Sequence, residues 1–289
     1  MGVARAVTKA GSLLRLVKFE HTLFALPFAL ISTVVCAHGW PAARQLFFIV
    51  LACVGARTAA MAFNRIVDRE LDARNVRTRD RELPTGKVAL WEAYALLIAA
   101  ALVFVLSALA LNQLCFWLSF PALGVLLGYS YTKRFTAWSH SILGLALGIA
   151  PVGAWLAIAG RFDAAPLALS AAVIMWVAGF DIIYATLDVK FDRREGLHSA
   201  VQRLGVPGAL RLAAMLHVAF VAALLLFGHL AELGAAYFVG AAAAGALIVV
   251  QHAIVRPNDP GRINAAFFVV NGVISVGLLS ATAIDIWVV

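Results

Sequence analysis

The sequence has 289 residues, of which 63% are hydrophobic and only 13% are charged. This composition excludes an ordinary soluble domain and predicts an integral membrane protein, because long stretches with almost no charge recur along the chain. The net charge of +8 would suggest nucleic-acid binding in a soluble protein. Here it predicts basic loops on the cytoplasmic side of a membrane, and we expect no nucleic-acid partner.

Nine apolar segments are expected to cross the membrane as α-helices, because their lengths suit a hydrocarbon core about 30 Å thick and the alternation typical of a β-barrel is missing. The segments cover roughly residues 19–37, 46–66, 91–111, 114–130, 138–160, 167–187, 210–229, 233–255 and 263–287. Cys36, Cys53 and Cys115 fall inside them without any CxxC or Cys/His cluster, so we expect small buried apolar residues. The sequence therefore predicts a single all-α membrane domain, 1–289.

The distribution of basic residues predicts the orientation. Lys and Arg are concentrated in the N-terminal tail and in the loops after segments 2, 4, 6 and 8, whereas the alternate loops contain only Arg44 and Arg161. We therefore expect the N-terminus inside and the C-terminus outside. The basic tail and first apolar run resemble a secretory signal, but the run is too long for a signal-peptide core, so we expect it to be retained as the first helix.

Two acidic motifs stand at the ends of segments 2 and 6. Asp68 and Asp72 form an i, i+4 pair, and Asp188 and Asp192 repeat this spacing about 120 positions later. A carboxylate near lipid is costly unless it is paired, binds a metal or faces a wet cavity. If the two helices face each other, the four acids would repel one another unless Mg²⁺ bound them, together with substrate phosphate oxygens. The simpler alternative is a set of helix-end charges that pair with adjacent arginines in solvated loops.

Further polar residues extend each motif along its segment. Arg57 and Asn64 precede Asp68 at a spacing that places all three on one helical stripe, and Asp72 continues it. Asp181 and Tyr184 stand before the second acidic pair in a similar way. If the two stripes face each other across a helical bundle, these residues line one site at the cytoplasmic end.

Two long loops directly follow the acidic motifs, the first cap loop (67–90) and the second cap loop (188–209). Loops of this length are often functional lids. Cations in and near them could stabilise the charge of a departing diphosphate, although the cytoplasmic bias of positive charge explains most of them. The candidates for diphosphate binding are Arg69, Arg77, Arg81, Tyr131, Lys133 and Arg134.

Four motifs occur together in chain order. They are Arg-x6-Asn-x3-Asp-x3-Asp from Arg57, Arg-Thr-x2-Arg-x-Leu-Pro-x-Gly from Arg77, Tyr-x3-Lys-Arg from Tyr129 and Asp-x2-Tyr-Ala-x2-Asp-x3-Asp from Asp181, with His21 and Pro27 before them. This set resembles the UbiA superfamily of intramembrane aromatic prenyltransferases over nearly the whole chain. The resemblance implies nine helices around a central cavity with cytoplasmic cap loops. It also implies Mg²⁺-dependent transfer of an isoprenoid from its diphosphate to an aromatic ring.

The resemblance also implies roles for individual residues. Two Mg²⁺ ions and the diphosphate would be held by Asn64, Asp68, Asp72, Asp188 and Asp192. Asp181 and Tyr184 would line the acceptor's cavity, and Arg57 would receive the acceptor's carboxylate, since a guanidinium binds a carboxylate through two parallel hydrogen bonds. The alternative for Arg57 is a structural ion pair with Asp181 or a similar acid.

The acceptor stays open between two aromatic acids. Arg65 follows Asn64 where ubiquinone-pathway members usually have Asp, and Glu20 stands where Pro often precedes the His-Thr pair. The second acidic motif resembles a 4-hydroxybenzoate polyprenyltransferase-like subgroup, some of whose members prenylate 1,4-dihydroxy-6-naphthoate in the futalosine route to menaquinone. We expect a polyprenyl diphosphate donor, an inner-membrane location, a site open to the cytoplasm and no obligate protein partner.

Two other classes of membrane protein also place acids near lipid. An ion- or proton-coupled transporter typically has its site at the midplane on broken helices, whereas these acids cluster at one membrane face. CDP-alcohol transferases use Mg²⁺ and aspartates, but they need an Asp-Gly-x2-Ala-Arg element that the sequence lacks. The prenyltransferase interpretation is therefore favoured.

Overall fold

The structure is a computed structural model that describes residues 11–13, 15–17, 22–256 and 259–288. Glu20 and His21 of the N-terminal motif lie outside these residues. From Thr22 onward the helices are α1 Thr22–Cys36, α2 Ala43–Val67, α3 Arg69–Arg74, α4 Leu90–Leu111, α5 Gln113–Thr132, α6 Ser139–Ala159, α7 Ala164–Ala185, α8 Val189–Arg194, α9 Ala200–Leu230, α10 Ala235–Ile254, α11 Pro260–Ala265 and α12 Asn271–Trp287. A π-helical turn, Ala266–Val270, joins α11 to α12.

Eight helical stretches among the described residues are long and apolar enough to cross a membrane. They match the second to ninth predicted segments, and the last of them runs without a break from α11 through the π turn to the end of α12. The first predicted segment contains α1, whose apolar part, Phe24–Cys36, is shorter. The all-α membrane class is confirmed, whereas the count of nine spans and the orientation stay predictions.

The long helices form a ring. Each packs against the next long helix along the chain, from α1 through α2, α4, α5, α6, α7, α9 and α10 to α12, and α12 packs against α1. The short helices α3 and α8 lie in the connections that follow α2 and α7. Both acidic motifs therefore lie at one end of the ring, where the two cap loops begin.

Small residues let α7 approach its neighbours closely on two sides. A Cβ added to Gly144 of α6 would lie 2.5 Å from the carbonyl oxygen of Ile174 in α7, and a Cβ on Gly179 of α7 would lie 2.5 Å from Nε2 of His217 in α9. In lipid, where no hydrophobic force drives helices together, such close packing is a main source of association. Trp176 of α7 is fully buried. The helix that bears the second acidic motif is thus firmly placed.

The acidic motifs interrupt their helices, which corrects the prediction of one continuous stripe from Arg57 to Asp72. α2 ends at Val67, Asp68 has φ −90° and ψ 3°, and Asp72 lies on the separate helix α3. The second motif has the same break, because α7 ends at Ala185 and α8 begins after Asp188. Each motif thus places one acid at a helix junction and the other one turn into a short helix.

The second cap loop is shorter than predicted. Helix α9 begins at Ala200, ten positions before the expected span, and Gly205 interrupts it with φ +68° and ψ 166°. Glycine adopts a positive φ at little cost, so the helix is interrupted at a residue that tolerates this conformation. The three cysteines are free thiols, and Cys115 is buried as predicted, whereas Cys36 and Cys53 are only half-buried.

Candidate active site

A cavity of about 300 Å³ lies inside the ring of helices. Side chains of α1, α2, α5, α6 and α7 line it, together with the π turn and both cap loops. One part of the wall is apolar and consists of Phe24, Leu143, Leu147, Val177, Phe180 and Phe267. The remaining wall contains both acidic motifs, so the cavity combines an apolar compartment with a highly charged one.

Most of the predicted site residues line this cavity. They are Arg57, Asn64, Asp68, Asp72, Arg77, Arg81, Lys133, Asp181, Tyr184, Asp188 and Asp192. Arg134 reaches the site from outside the lining and bonds to Asp68. Arg69 and Tyr131 are not among the lining residues. Arg69 lies near Glu70, and the exposed Tyr131 ring packs under the guanidinium of Arg134.

The acids of the first motif are neutralised by cations from other elements. Lys133 and Arg134, just past the end of α5, both bind Asp68, with Arg134 Nη2 donating to Oδ1 at 3.0 Å. Arg81 of the first cap loop donates to both carboxylate oxygens of Asp72, at 2.7 and 2.8 Å. Both carboxylates are buried. The burial of these acids favours a binding site over the alternative of helix-end charges that pair with adjacent arginines in solvated loops.

The second motif is bound by residues of the first cap loop. Arg77 forms a bidentate ion pair with Asp188, with Nε 2.9 Å from Oδ1, and Asn75 Nδ2 donates to the same oxygen at 3.2 Å. Arg77 Nη1 also donates to the Tyr184 hydroxyl at 3.0 Å. Burial, followed by the nearby charge of Asp188, raises the pKa of Asp192 to about 6. The first cap loop is thus tied to α7 across the mouth of the cavity.

The donor atoms of the two motifs suit Mg²⁺, which prefers carboxylate and other hard oxygen ligands. Within the described part of the chain, however, no three acidic, His or Cys side chains come close enough together to hold a metal ion. The ion pairs explain this, since Asp68, Asp72 and Asp188 each contact Lys or Arg. The residues fit Mg²⁺ by chemistry, and in this structure basic side chains neutralise the charge of Asp68, Asp72 and Asp188.

Arg57 lies deeper along α2 than the acids, about 16 Å from Asp68 at the rise of an α-helix. Its side chain is half-buried, and its Nε is shielded from solvent without a hydrogen-bond partner among the described residues. The alternative partner Asp181 is instead bonded to His140, whose Nδ1 lies 2.7 Å from Asp181 Oδ2. A guanidinium whose Nε is shielded from water and which has no counterion among the described residues is costly, so this geometry favours an anionic ligand.

Two residues of the site were missed by the sequence analysis. His140 and Asn75 both line the cavity and bond to predicted acids, Asp181 and Asp188. Their partners lie 41 and 113 positions away, so no local spacing connects them. The sequence did contain one indication of His140: it is a single histidine at the start of an apolar segment, at the end that lies on the same side as both motifs.

The comparison with known proteins agrees with this site. Residues 25–273 match the UbiA prenyltransferase family. The 4-hydroxybenzoate octaprenyltransferase of Nitrosospira multiformis is 34% identical over 81% of this chain and 80% of its own length. The apo structure of a UbiA homologue from Aeropyrum pernix K1 is 33% identical and has a TM-score of 0.84 over 92% of this chain and 98% of its own.

A second solved structure shows the same fold at lower identity. A UbiA homologue from Archaeoglobus fulgidus, bound to GPP and Mg²⁺, has a TM-score of 0.67 and 20% identity over 94% of this chain and 99% of its own. The match to the family model extends across the cavity wall from Arg57 to Phe267. As its motifs predicted, the chain belongs to the UbiA prenyltransferase family.

Proposed function

We propose that this protein transfers a polyprenyl group from its diphosphate to a hydroxylated aromatic carboxylic acid, with Mg²⁺ as cofactor. Family membership supports the class of reaction. The name of the Nitrosospira relative supports 4-hydroxybenzoate as acceptor and an octaprenyl chain as donor, in ubiquinone biosynthesis. The Mg²⁺ and GPP bound by the Archaeoglobus homologue support the cofactor and the diphosphate. The resemblance of the second acidic motif keeps 1,4-dihydroxy-6-naphthoate, on the route to menaquinone, as a competing acceptor.

The observation that carries this proposal is Arg57 Nε, which is shielded from solvent, has no hydrogen-bond partner among the described residues and belongs to a side chain in the same cavity as both acidic motifs. A substrate carboxylate would supply its missing counterion through a charge-assisted bidentate contact. With its carboxylate on Arg57, the acceptor would have its aromatic ring between Arg57 and the acids. This position brings the ring next to the carbon that leaves the diphosphate.

The charged residues would exchange partners when the diphosphate binds. Asn64, Asp68, Asp72, Asp188 and Asp192 would hold two Mg²⁺ ions, whose charge stabilises the departing diphosphate. Lys133, Arg134, Arg77 and Arg81 then no longer need to neutralise these acids, and their N–H groups can donate to phosphate oxygens. This exchange keeps the charges of Asp68, Asp72 and Asp188 compensated both without and with the diphosphate.

The apolar wall suits the prenyl chain. Phe24, Phe180 and Phe267 form a cluster, with ring centroids between 5.1 and 5.8 Å apart. Leu143 and Leu147 of α6 continue the wall. Burial of the isoprenoid against these side chains removes apolar surface from water, which gives binding energy without any polar contact.

We also propose that the protein spans the inner membrane nine times, with the N-terminus and the mouth of the cavity in the cytoplasm. The bias of Lys and Arg toward alternate loops supports this orientation. It also puts the charged end of the cavity in the compartment where soluble acceptors, nucleotides and Mg²⁺ are abundant.

The experiment uses the purified full-length protein in lipid nanodiscs with Mg²⁺ and a polyprenyl diphosphate. A panel of 4-hydroxybenzoate, 1,4-dihydroxy-6-naphthoate and the matching phenol and naphthol without a carboxylate is analysed by mass spectrometry. We expect prenylation of a carboxylated acceptor, with the carboxylate retained in the product. Equal use of the acceptors that lack a carboxylate, or no transfer to any member of the panel, would contradict the proposal.

A further inference from the structure

His140 and Asp181 form a hydrogen-bonded pair in the wall of the cavity. His140 Nδ1 lies 2.7 Å from Asp181 Oδ2, and both residues line the cavity. The backbone N–H of Ala200, at the start of α9, points to His140 Nε2 at 3.4 Å. Because Nε2 faces a donor, it acts as the acceptor, and the ring proton therefore stands on Nδ1 and is donated to Asp181.

The pair differs from the acidic motifs in the kind of partner it uses. Asp68, Asp72 and Asp188 each contact a Lys or Arg. Among the described residues, the Asp181 side chain forms a hydrogen bond or ion pair only with His140. A neutral imidazole orients a carboxylate without cancelling its charge, whereas a guanidinium or ammonium does cancel it. Asp181 therefore keeps an uncompensated carboxylate oxygen for a ligand in the cavity.

The position of Asp181 also separates it from the diphosphate end. It lies within α7, one turn before the end of that helix at Ala185, whereas Asp188 lies beyond this end at the junction with α8. The His140 side chain is 7% exposed and the Asp181 side chain 25% exposed, so the imidazole is enclosed while the carboxylate reaches the cavity. Arg57 opens into the same cavity from α2. The pair thus lies at the depth expected for the acceptor ring. This inference rests on the proposed function.

Transfer of the prenyl group to a ring carbon releases a proton. The carbon–oxygen bond of the donor breaks, and its electron pair leaves with the diphosphate. The ring carbon beside the acceptor's hydroxyl forms the new carbon–carbon bond, and the proton on that carbon must then be removed so that its electron pair restores aromaticity. Removal of this proton needs an acceptor within hydrogen-bond reach of the ring.

We propose that Asp181 Oδ1 accepts this ring proton and that His140 is the positioning residue that aims it. The Nδ1–H of His140 binds Oδ2, so the other carboxylate oxygen faces the ring. Ala200 fixes the far side of the imidazole, and the start of α9 thereby sets the orientation of the pair. Asp181 becomes a carboxylic acid in this step and later loses the proton to water, which completes the balance of atoms and charge.

The test compares acceptors that carry hydrogen or deuterium at the ring carbon that is prenylated, using the full-length protein in nanodiscs. In the wild type, we expect cleavage of the diphosphate to limit the rate and the isotope effect therefore to be small. In His140→Ala, proton removal becomes limiting, so a primary isotope effect appears and kcat falls about a hundredfold, within the usual contribution of a general base. The KM for the prenyl diphosphate should stay unchanged.

Two variants separate positioning from a general loss of structure. Gln can accept from a backbone N–H and donate to a carboxylate, so His140→Gln should restore kcat and abolish the isotope effect. His252→Ala removes a half-buried histidine that pairs with His217 and does not line the cavity. That control should keep the wild-type isotope effect, and thermal unfolding monitors the fold of each variant.

Several outcomes would overturn the inference. An absent isotope effect in both His140→Ala and Asp181→Asn, while the wild type transfers prenyl groups, would show that another group removes the proton. The same isotope effect in His252→Ala would assign it to loosened packing. Failure of the wild type to prenylate any carboxylated acceptor would instead reject the proposed function, so the two failures are distinguishable.

Discussion

At the residue scale, Arg57 and the acidic motifs lie at different depths of one cavity and should affect different substrates. For Arg57→Ala we expect the KM for the acceptor to rise about 10- to 100-fold, as for loss of one charged hydrogen-bonded contact. The KM for the prenyl diphosphate should change little. Steady-state kinetics with each substrate varied in turn measure this difference.

Arg57→Lys provides the matched comparison for that experiment. It keeps a positive charge but loses the planar fork that binds both carboxylate oxygens, so its acceptor KM should lie between those of the wild type and Arg57→Ala. An equal loss for both substrates would mean that Arg57 supports the cavity as a whole. Unchanged kinetics with a carboxylated acceptor would remove Arg57 from this role.

The acids of both motifs should be needed together. For Asp68→Asn and for Asp188→Asn we expect the rate of transfer to fall about a hundredfold or more, because ionisation of the donor depends on charge stabilisation from both sides. Single-turnover assays measure the rate, and thermal unfolding verifies the fold. Asp163→Asn is the control, since Asp163 pairs with Arg161 in a loop that does not line the cavity. A near wild-type rate in either motif variant would show that its acid is only structural.

The site residues that could be predicted from the sequence are charged residues in apolar segments, where burying a charge near lipid costs free energy. Asp68, Asp188 and Arg57 stand out in this way, and the structure brings them to one cavity. His140 is less conspicuous, because a neutral imidazole is tolerated in many buried places. Its partner is defined only by the packing of α6 on α7, which no spacing along the chain reveals.

At the element scale, we expect the first cap loop to limit how strongly Mg²⁺ binds. Its residues Arg77 and Arg81 occupy carboxylate oxygens of Asp188 and Asp72. We therefore expect weak Mg²⁺ binding without diphosphate and much tighter binding with it, because phosphate oxygens then take over the guanidinium groups. Calorimetric titration of Mg²⁺ with and without inorganic pyrophosphate measures this coupling.

Removal of metal gives the functional counterpart of that titration. Transfer should stop in EDTA and return when Mg²⁺ is added in excess. Full turnover in a sample shown to be free of divalent metal would contradict the assignment of the acids. Equal Mg²⁺ affinity with and without pyrophosphate would show that the ion pairs do not restrain metal binding.

The close approach of α6 and α7 gives a prediction on stability. Gly144→Ala places a methyl group against the Ile174 backbone and should destabilise the fold by about 1–3 kcal/mol, as expected for overpacking. Gly153→Ala on the same helix meets no atom within 4 Å and is the matched control. Thermal unfolding in detergent compares the two, and equal midpoints would show that α6 shifts without cost.

The helices themselves were predicted well, and their ends less so. The positions of the apolar segments follow from the thickness of the bilayer, which acts on every span alike. The breaks at Asp68 and Asp188 coincide with tertiary ion pairs, in which each acid is bound by cations of another element. A helical period continues through both motifs in the sequence, and nothing in it marks these junctions.

At the scale of the whole molecule, the ring of helices explains how distant motifs form one site. Sequential packing brings α2 and α7 to the same cavity although they are separated along the chain. The charged residues then gather at one end of the ring, while the apolar wall lies among α1, α6, α7 and the π turn. The site is therefore a property of the closed ring rather than of any one helix.

The orientation of this ring is open to a direct measurement. Nine spans with the N-terminus inside place the C-terminus outside. If the first segment did not cross, eight spans would remain and both termini would lie on the same side. We expect a C-terminal alkaline phosphatase fusion to be active and a C-terminal green fluorescent protein fusion to be dark, because each reporter works on one side of the inner membrane only.

A fusion within the first cap loop, near Thr85, should give the opposite pair of signals. A fluorescent C-terminal fusion would reject nine spans with a cytoplasmic N-terminus, and an active phosphatase near Thr85 would place the charged end of the cavity outside the cell.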